Sequence, residues 1–483
     1  KADPFVDAGR VRDALPEYSL EEVSKHKTAE TGLWVTFRDG VYDITDFVEG
    51  HPGGEKILMA AGGALEPFWS LYAVHKESSQ AAEYLRGMRI GNISAEDRAA
   101  RDARPAADPE DPFGAEPSRH PALTVNSARP FNAECPIALL PDNYITPNEL
   151  FFVRNHLPVP DIEAKEYVLE VGGVDTPGLR LTLDDLKARF RKHTIVASLQ
   201  CGGNRRSEMN AAKGVKGLGW GRAAISNAEW SGARLRDVLL AAGLPQSGHS
   251  VKHVQFEGTD VDESKMPYGA SIPVGKAMAY DGDVILAYEM NGEPLPRDHG
   301  FPVRVVVPGH VGSRNVKWVK RVVTSTEESP SFWQQNDYKF LSPATGWDQA
   351  AQAMKDTPAI QELPVQSGIL YPQNGEPVEG DDTVTVGGYA WSGGGRGIMR
   401  VEVSVDGGKS WQLAELEEPT YPKQDMYKSW GWTLWEAKVA VPKDASGTTV
   451  KSLEVCAKAV DIACNSQPEN WDSIWNIRGL ASN

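Results

Sequence analysis

Read as a pattern of apolar and polar positions, the chain changes character three times. Near the N-terminus Ser19-Leu-Glu-Glu22 has the form of a capping box opening a short helix. Leu33–Phe37 and Val41–Ile44 are two apolar runs separated by Asp39-Gly40, which predicts a small hairpin. Ile57-Leu-Met-Ala-Ala reads as an apolar helix. Residues 94–119 lose all apolar periodicity and fill with alanine, charge and proline; such a segment buries too little to repay ordering and is expected to be a flexible linker. From residue 120 to about 360 the pattern mixes α and β signals and is dense in glycine and proline, with a strand-like run at Thr194–Ala197. The last stretch, 361–483, alternates with period two: Thr383–Trp391, Met399–Val405 turning through Asp406-Gly-Gly into Ser410-Trp-Gln-Leu, Trp432–Val441 and Ser452–Val460. Strands at that spacing without long helices predict an immunoglobulin-like sandwich. The expected organisation is thus a unit at 18–93, a linker at 94–119, a unit at 120–360 and a sandwich at 361–483.

Composition narrows the function classes. The 483 residues carry 50 Lys/Arg against 66 Asp/Glu, a net charge of −16. Such a chain is a poor binder of nucleic acid or anionic membrane and could steer a basic protein. No apolar run reaches membrane-spanning length, so no membrane insertion is expected. The start, Lys1-Ala-Asp-Pro, does not read as a signal or transit peptide, as expected of a processed chain. The four cysteines form no CxxC pair, which excludes a disulfide scaffold, a zinc ribbon and a cysteine-built iron–sulfur cluster.

Two places carry chemistry. In Asp46-Phe-Val-Glu-Gly-His51-Pro-Gly-Gly54 the glycines let the backbone turn beside a histidine, and His75 follows in Trp69-Ser-Leu-Tyr-Ala-Val-His75. Two neutral imidazoles facing each other across an apolar slot could hold a haem. The alternative is a pair of ordinary surface histidines. The second place is Gln200-Cys-Gly-Gly-Asn-Arg-Arg-Ser-Glu-Met209. Neighbouring arginines favour a thiolate, which serves as a nucleophile or a soft metal ligand. As a nucleophile Cys201 would need a base such as His156, His299 or His310; as a lone ligand it suffices only if a metal brings its own organic ligand; the other outcome is a buried structural thiol. Several arginine-bearing loops in an acidic protein suggest a local anion site.

The string DFVEGHPGG resembles the cytochrome b5 family over residues 18–93. That resemblance makes His51 and His75 the axial ligands of a b-type haem, a one-electron relay with no open coordination position. From residue 120 onward Leu150-Phe-Phe-Val-Arg-Asn-His156, the Cys201 string, Asn291–Gly309 and Phe332-Trp-Gln-Gln-Asn-Asp-Tyr-Lys339 resemble the sulfite oxidase family of molybdenum enzymes, in its animal type. The fold class implied is α+β and multidomain: a cytochrome b5-like haem domain, a mixed α+β molybdenum-cofactor domain and an immunoglobulin-like β-sandwich that dimerises. By the same resemblance Cys201 binds molybdenum beside a molybdopterin dithiolene. Arg154, Arg206, Arg478, Trp220 and Tyr338 match the substrate pocket. Phe152, Val153, Arg154, Asn155, His156, Asp260, His299, Arg304, Asn315, Val316 and Lys317 match the cofactor cradle. The implied reaction is oxidation of sulfite to sulfate, with cytochrome c as acceptor, a homodimer, and a mitochondrial intermembrane-space location. A nitrate-reductase-like core is the enzymic alternative, though no flavin module follows; a haem-binding interaction protein is the non-enzymic one. Departures from the family pattern are Gly202, Gly219, His310 and a longer loop around Glu417–Lys428.

Overall fold

The computed structural model describes residues 5, 8–51, 54–71, 79–102, 111–262, 264–378, 383–417, 425–443, 446 and 450–483. It divides into two compact units: residues 1–114 with 119–122, and residues 115–118 with 123–483. His75 lies outside the described residues, as does most of the loop around Glu417–Lys428.

In the first unit the predicted hairpin is present as Gly32–Phe37 paired with Gly40–Asp43, turning where Arg38 takes φ 51°. The sheet runs, in spatial order, Glu17–Tyr18, Arg89–Ile93, Gly40–Asp43, Gly32–Phe37, Lys27–Thr28. Val35, Tyr42, Ile44, Leu65 and Leu85 fill the core beneath it. The capping box is half formed. Ser19 Oγ accepts from Glu22 N at 3.1 Å, but the Glu22 carboxylate turns to Lys25 and His26. The apolar run at Ile57 forms a 3-10 helix, Gly54–Ala60.

The expected linker needs correcting at its start. Ala95–Asp102 is a helix, and Ser94 Oγ accepts from Asp97 N at 3.2 Å. Arg98 pairs with Glu17 at 3.0 Å and Arg101 with Asp39 at 2.7 Å, so its cations tie it to the sheet. Its apolar residues are too few for a pattern reading to find it, because ion pairs and a cap hold it instead of a buried stripe.

The second unit holds three sheets before residue 360. A five-stranded mixed sheet runs Thr176–Thr182, Val168–Gly173, Val319–Ser325, His253–Val261, Pro267–Pro273. A second sheet runs Lys192–Gln200, Ile225–Arg234, Ile285–Met290, Glu293–Pro294, with Arg304–Val306 also paired to Ile285–Met290. The third joins Thr124–Ala128, Phe131–Glu134 and Val153–Arg154. Beyond residue 360 a four-stranded sheet (Gln366–Tyr371, Thr383–Trp391, Thr433–Ala440, Glu415–Leu416) faces a three-stranded one (Gln412–Leu413, Ile398–Ser404, Cys456–Asp461). Val386, Val401, Trp435 and Ala459 pack between them, as alternating strands require.

These two halves share one compact unit. Ser198 N donates to Trp430 O at 3.0 Å and Trp432 N to Ser198 Oγ at 2.9 Å, so the sandwich adds a short segment to the edge strand that ends at Gln200. Asp283 sits at the same junction. Its carboxylate accepts from His193 at 2.9 Å, Lys428 at 2.6 Å and Trp430 Nε1 at 3.0 Å.

Candidate molybdenum and haem sites

The strand Lys192–Gln200 delivers Cys201 to a chain reversal. Asn204 Nδ2 donates to Tyr389 OH at 2.9 Å and Ala481 N donates to Gly202 O at 2.8 Å, which fixes that reversal against the sandwich. Gly203 N donates to the Cys201 sulfur at 3.5 Å. A Cβ on Gly203 would lie 2.6 Å from the Arg206 guanidinium, so that glycine admits the arginine.

Cys201 opens onto a pocket of about 680 Å³, its mouth included. Of the residues anticipated from the sequence, Phe152, Arg154, His156, Cys201, Asp260, His299, Arg304, Asn315, Lys317 and Tyr338 line it. Val153, Asn155 and Val316 support the wall from behind. Val153 is buried beside Ala133, Val316 O accepts from Val305 N, and Asn155 Nδ2 donates to Asp298 at 3.0 Å while its oxygen accepts from Lys317.

The three arginines differ in state. Arg154 lines the pocket and donates to Asn132 Oδ1 at 3.0 Å and Asn155 O at 2.5 Å. Arg206 is buried beside it. Its guanidinium donates to Leu218 O at 2.7 Å and to Arg478 O and Gly479 O at 3.1 Å each. Burial lowers its pKa, the cations of Arg154 and Arg478 add to that, and Cys201 and Tyr338 oppose it. Arg478 pairs with Asp337. The sequence suggested three guanidiniums around one ligand; the structure brings them close together, with Arg206 bonded to backbone carbonyls and Arg478 paired with a carboxylate. Trp220 is buried in the core cluster that includes Cys201, and its indole N–H has no partner among the described residues.

Tyr338 OH lies 2.6 Å from His156 Nε2. Burial pushes the tyrosine up to about 12, and burial with the Arg154 and Lys317 charges pushes the histidine well below its usual range. Both groups are therefore neutral near pH 7. Deeper in the pocket, Arg304 gives its bonds to the carbonyls of His299 and Asn315 at 3.0 Å and is pushed down to about 9 by burial. Lys317 donates to Asp298 O at 2.8 Å. Burial raises Asp260 and lowers Lys317, and one Asp260 oxygen has no partner among the described residues. Buried cations bound mainly to carbonyls and an amide keep charge to spare for an anion. Together with a thiol at the wall, that donor set fits a phosphate-bearing pterin with a thiophilic metal.

Sequence reading missed Tyr268 and gave Asp298 and Trp318 no role, although all three line the pocket. Tyr268 lies in an unremarkable strand; its ring sits 4.7 Å from that of His156 and its OH donates to Ser313 O at 3.0 Å, which brings it there.

On the haem side, His51 follows the 3-10 turn Thr45–Gly50. Its Nδ1 lies 3.2 Å from Gly54 O. A carbonyl only accepts, so in a neutral ring this contact calls for the proton on Nδ1 and the lone pair on Nε2, the form that ligates iron. Phe47, Val48, Ile57 and Met59 provide partly buried apolar surface in the same unit. These residues fit an iron porphyrin.

Comparison with known proteins follows the same division. Residues 19–94 match the cytochrome b5-like heme/steroid binding domain, 156–333 the oxidoreductase molybdopterin binding domain, and 357–483 the Mo-co oxidoreductase dimerisation domain. Sulfite oxidase of Gallus gallus is 53% identical over 470 residues, covering 97% of this chain and 98% of that protein. Mitochondrial sulfite oxidase of Homo sapiens is 52% identical over 471 residues, covering 96% and 83%. The sulfane dehydrogenase SoxCD of Paracoccus pantotrophus superposes with a TM-score of 0.60 at 28% identity, covering 74% of this chain and 83% of that one. The chain belongs to the sulfite oxidase family of molybdenum enzymes, in the form that carries its own cytochrome b5-like haem domain.

Proposed function

We propose that this protein oxidises sulfite to sulfate at a molybdenum–molybdopterin centre and exports the electrons singly through a b-type haem to cytochrome c. One observation carries the reading: Cys201, Arg154, His156 and Tyr338 face a single pocket, with the Arg206 and Arg478 charges beside it. The balance is sulfite plus water giving sulfate, two protons and two electrons. When bound, the molybdenum–pterin group supplies the two-electron oxidation and the haem supplies one-electron export.

This chain's residues do the rest. Cys201 would hold the metal through its thiolate, and Arg304, Lys317 and Asp260 the pterin and its phosphate, with Phe152, Val153, Asn155, His156, His299, Asn315 and Val316 shaping the cradle. Arg154 orients the dianion by charge-assisted bonds, and the fields of Arg206 and Arg478 favour its entry. Trp220 closes the wall behind Cys201. With both groups neutral, a proton on His156 Nε2 donated to the Tyr338 oxygen across 2.6 Å leaves the phenol O–H to donate a hydrogen bond to a substrate oxygen. His51 and His75 would be the haem ligands. Residues 18–93, 120–360 and 361–483 act as haem, molybdenum and dimerisation domains of a homodimer; residues 103–110 of the expected linker lie outside the described residues. We place the protein in mitochondria, in the intermembrane space, as its relatives' names and the cytochrome c acceptor support.

The test is anaerobic addition of sulfite to cofactor-loaded protein, followed by absorption. Reduction of a low-spin b-type haem is expected. An oxidised haem after sulfite, or haem turnover driven by nitrate instead, would reject the reading.

A further inference from the structure

We propose that Asn132 is a positioning residue that sets the affinity of the pocket for sulfite: it holds Arg154 with an uncharged acceptor, so that the guanidinium keeps its charge for a dianion. The inference rests on the reading of Arg154 as the residue that orients sulfite.

Asn132 and Arg154 are cross-strand partners. The strand Phe131–Glu134 pairs antiparallel with Val153–Arg154, which puts Asn132 opposite Arg154 and Ala133 opposite Val153. Residues directly opposite each other on such strands meet side by side. Asn132 is 2% exposed. Its Oδ1 accepts from Arg154 Nη1 at 3.0 Å and from Asn155 N at 3.1 Å, and its Nδ2 donates to Pro130 O at 2.8 Å. Two donors at one end and a carbonyl at the other fix which end of the amide faces the arginine. The strand is pinned two residues further on. The Glu134 carboxylate accepts from Gly221 N at 2.8 Å, Ala223 N at 2.9 Å and Asn126 Nδ2 at 2.8 Å. One strand thus holds Arg154 from one position and the segment that follows Trp220 from another, and its carboxylate is taken up by N–H donors.

A carboxylate is the common partner of a guanidinium removed from water, and other arginines of this unit have one. Arg478 pairs with Asp337, and Arg205 and Arg222 pair with Glu208 at 2.7 and 3.2 Å. At Arg154 the acceptors are the Asn132 amide oxygen and the Asn155 carbonyl. Burial alone would lower the Arg154 pKa, yet it is raised; Tyr338, Cys201 and Tyr268 counter the burial, and none of these is a carboxylate. An arginine closed into an ion pair offers an incoming anion little net charge, whereas one held by neutral oxygens offers all of it. Asparagine and aspartate have nearly the same shape. What position 132 decides is therefore charge: an amide leaves a site open to anions, and a carboxylate would fill it from within.

The experiment uses the full chain loaded with both cofactors and compares parent with Asn132→Asp, Asn132→Ala and Arg154→Gln. KM and kcat for sulfite, referred to molybdenum content, and the affinity for sulfate by calorimetry are read at one ionic strength. Asn132→Asp keeps an acceptor for Arg154 and adds a charge; KM should rise by about 10²-fold, sulfate binding should weaken in parallel, and kcat should change far less. Asn132→Ala removes the acceptor and adds no charge; KM should rise by about tenfold or less. A merely structural role gives the reverse order, because aspartate still bonds Arg154 and alanine does not. If Arg154→Gln raises KM while Asn132→Ala is as harmful to KM as Asn132→Asp, or more so, the proposal is overturned. Unchanged KM and sulfate affinity in Arg154→Gln would instead overturn the reading beneath it. Should Asn132→Asp not fold, Asn132→Ala is combined with Arg154→Gln. The alanine should raise KM severalfold in the parent and hardly at all in the Arg154→Gln background, and equal effects in both overturn the proposal.

Discussion

The haem site and the molybdenum pocket differ in how far apart in the chain their parts lie. His51 finds its partner, Gly54 O, only three positions along the chain. The molybdenum pocket draws on segments from Phe151 to Tyr338, and its walls are fixed by bonds reaching Tyr389 and Ala481. A site built locally tolerates change elsewhere and fails by losing its ligand. A site built from distant segments is sensitive to the junctions that bring them together. Cutting the two sites separately is the way to break that comparison.

The largest effect is expected from Cys201→Ser. Sulfite oxidation should fall by three orders of magnitude or more, about what loss of a directly acting group costs, while the haem spectrum persists. His51→Ala should give the mirror image. Haem binding and cytochrome c reduction are lost, while sulfite oxidation with an acceptor that bypasses the haem survives. If either variant disabled both sites, the two would not be separable.

Arg154→Gln comes next. It removes the one arginine of the three that lines the pocket, and kcat/KM for sulfite should drop by about 10²–10³, mostly through KM, as expected for a desolvated charge contact. Arg206→Met should cost less in substrate binding and more in stability, because its guanidinium serves three carbonyls. Equal KM effects from both would contradict the distinction drawn between them.

The smallest effect tests the junction. Asp283→Asn should lower stability by roughly 2–3 kcal/mol in denaturant melts near neutral pH. Although burial alone would raise the Asp283 pKa, its bonds to His193, Lys428 and Trp430 bring it below the usual carboxylate range. A depressed folded pKa means the stabilisation is complete above the unfolded value and lost as pH falls through the folded one. The gap between parent and variant should therefore shrink below pH 4. A gap constant from pH 7 to pH 3 would show that the carboxylate's charge is not what acts.

Legibility followed the same local-versus-distant line. Thr383–Trp391 was readable because its first half alternates, with Val384 and Val386 buried and Thr383 and Thr385 exposed, and the hairpin at Asp39-Gly40 because its turn chemistry is local. Ala95–Asp102 read as linker because its anchors, Glu17 and Asp39, are far away in sequence. The identity of Arg206 was legible from its motif. Its engagement with Leu218, Arg478 and Gly479 was not, since nothing in one dimension says which carbonyl a guanidinium will find. Tyr268 is the clearest miss, a residue recruited by how one strand passes His156 and Ser313.

The segment Trp430–Trp432, paired to the strand that ends beside Cys201, bears on how such a chain can be recombined. The haem unit carries its own sheet, core and helices, and His51 meets its Gly54 partner inside that unit. It is built as a cassette. The C-terminal sandwich is not, even though its boundary looks just as clean in the sequence. Asn204 bonds to Tyr389, Gly202 to Ala481, and Arg206 to Arg478 and Gly479. A chimaera that imports a foreign sandwich would import a foreign floor for the Cys201 loop, so the heritable module that carries the chemistry is the whole of residues 123–483.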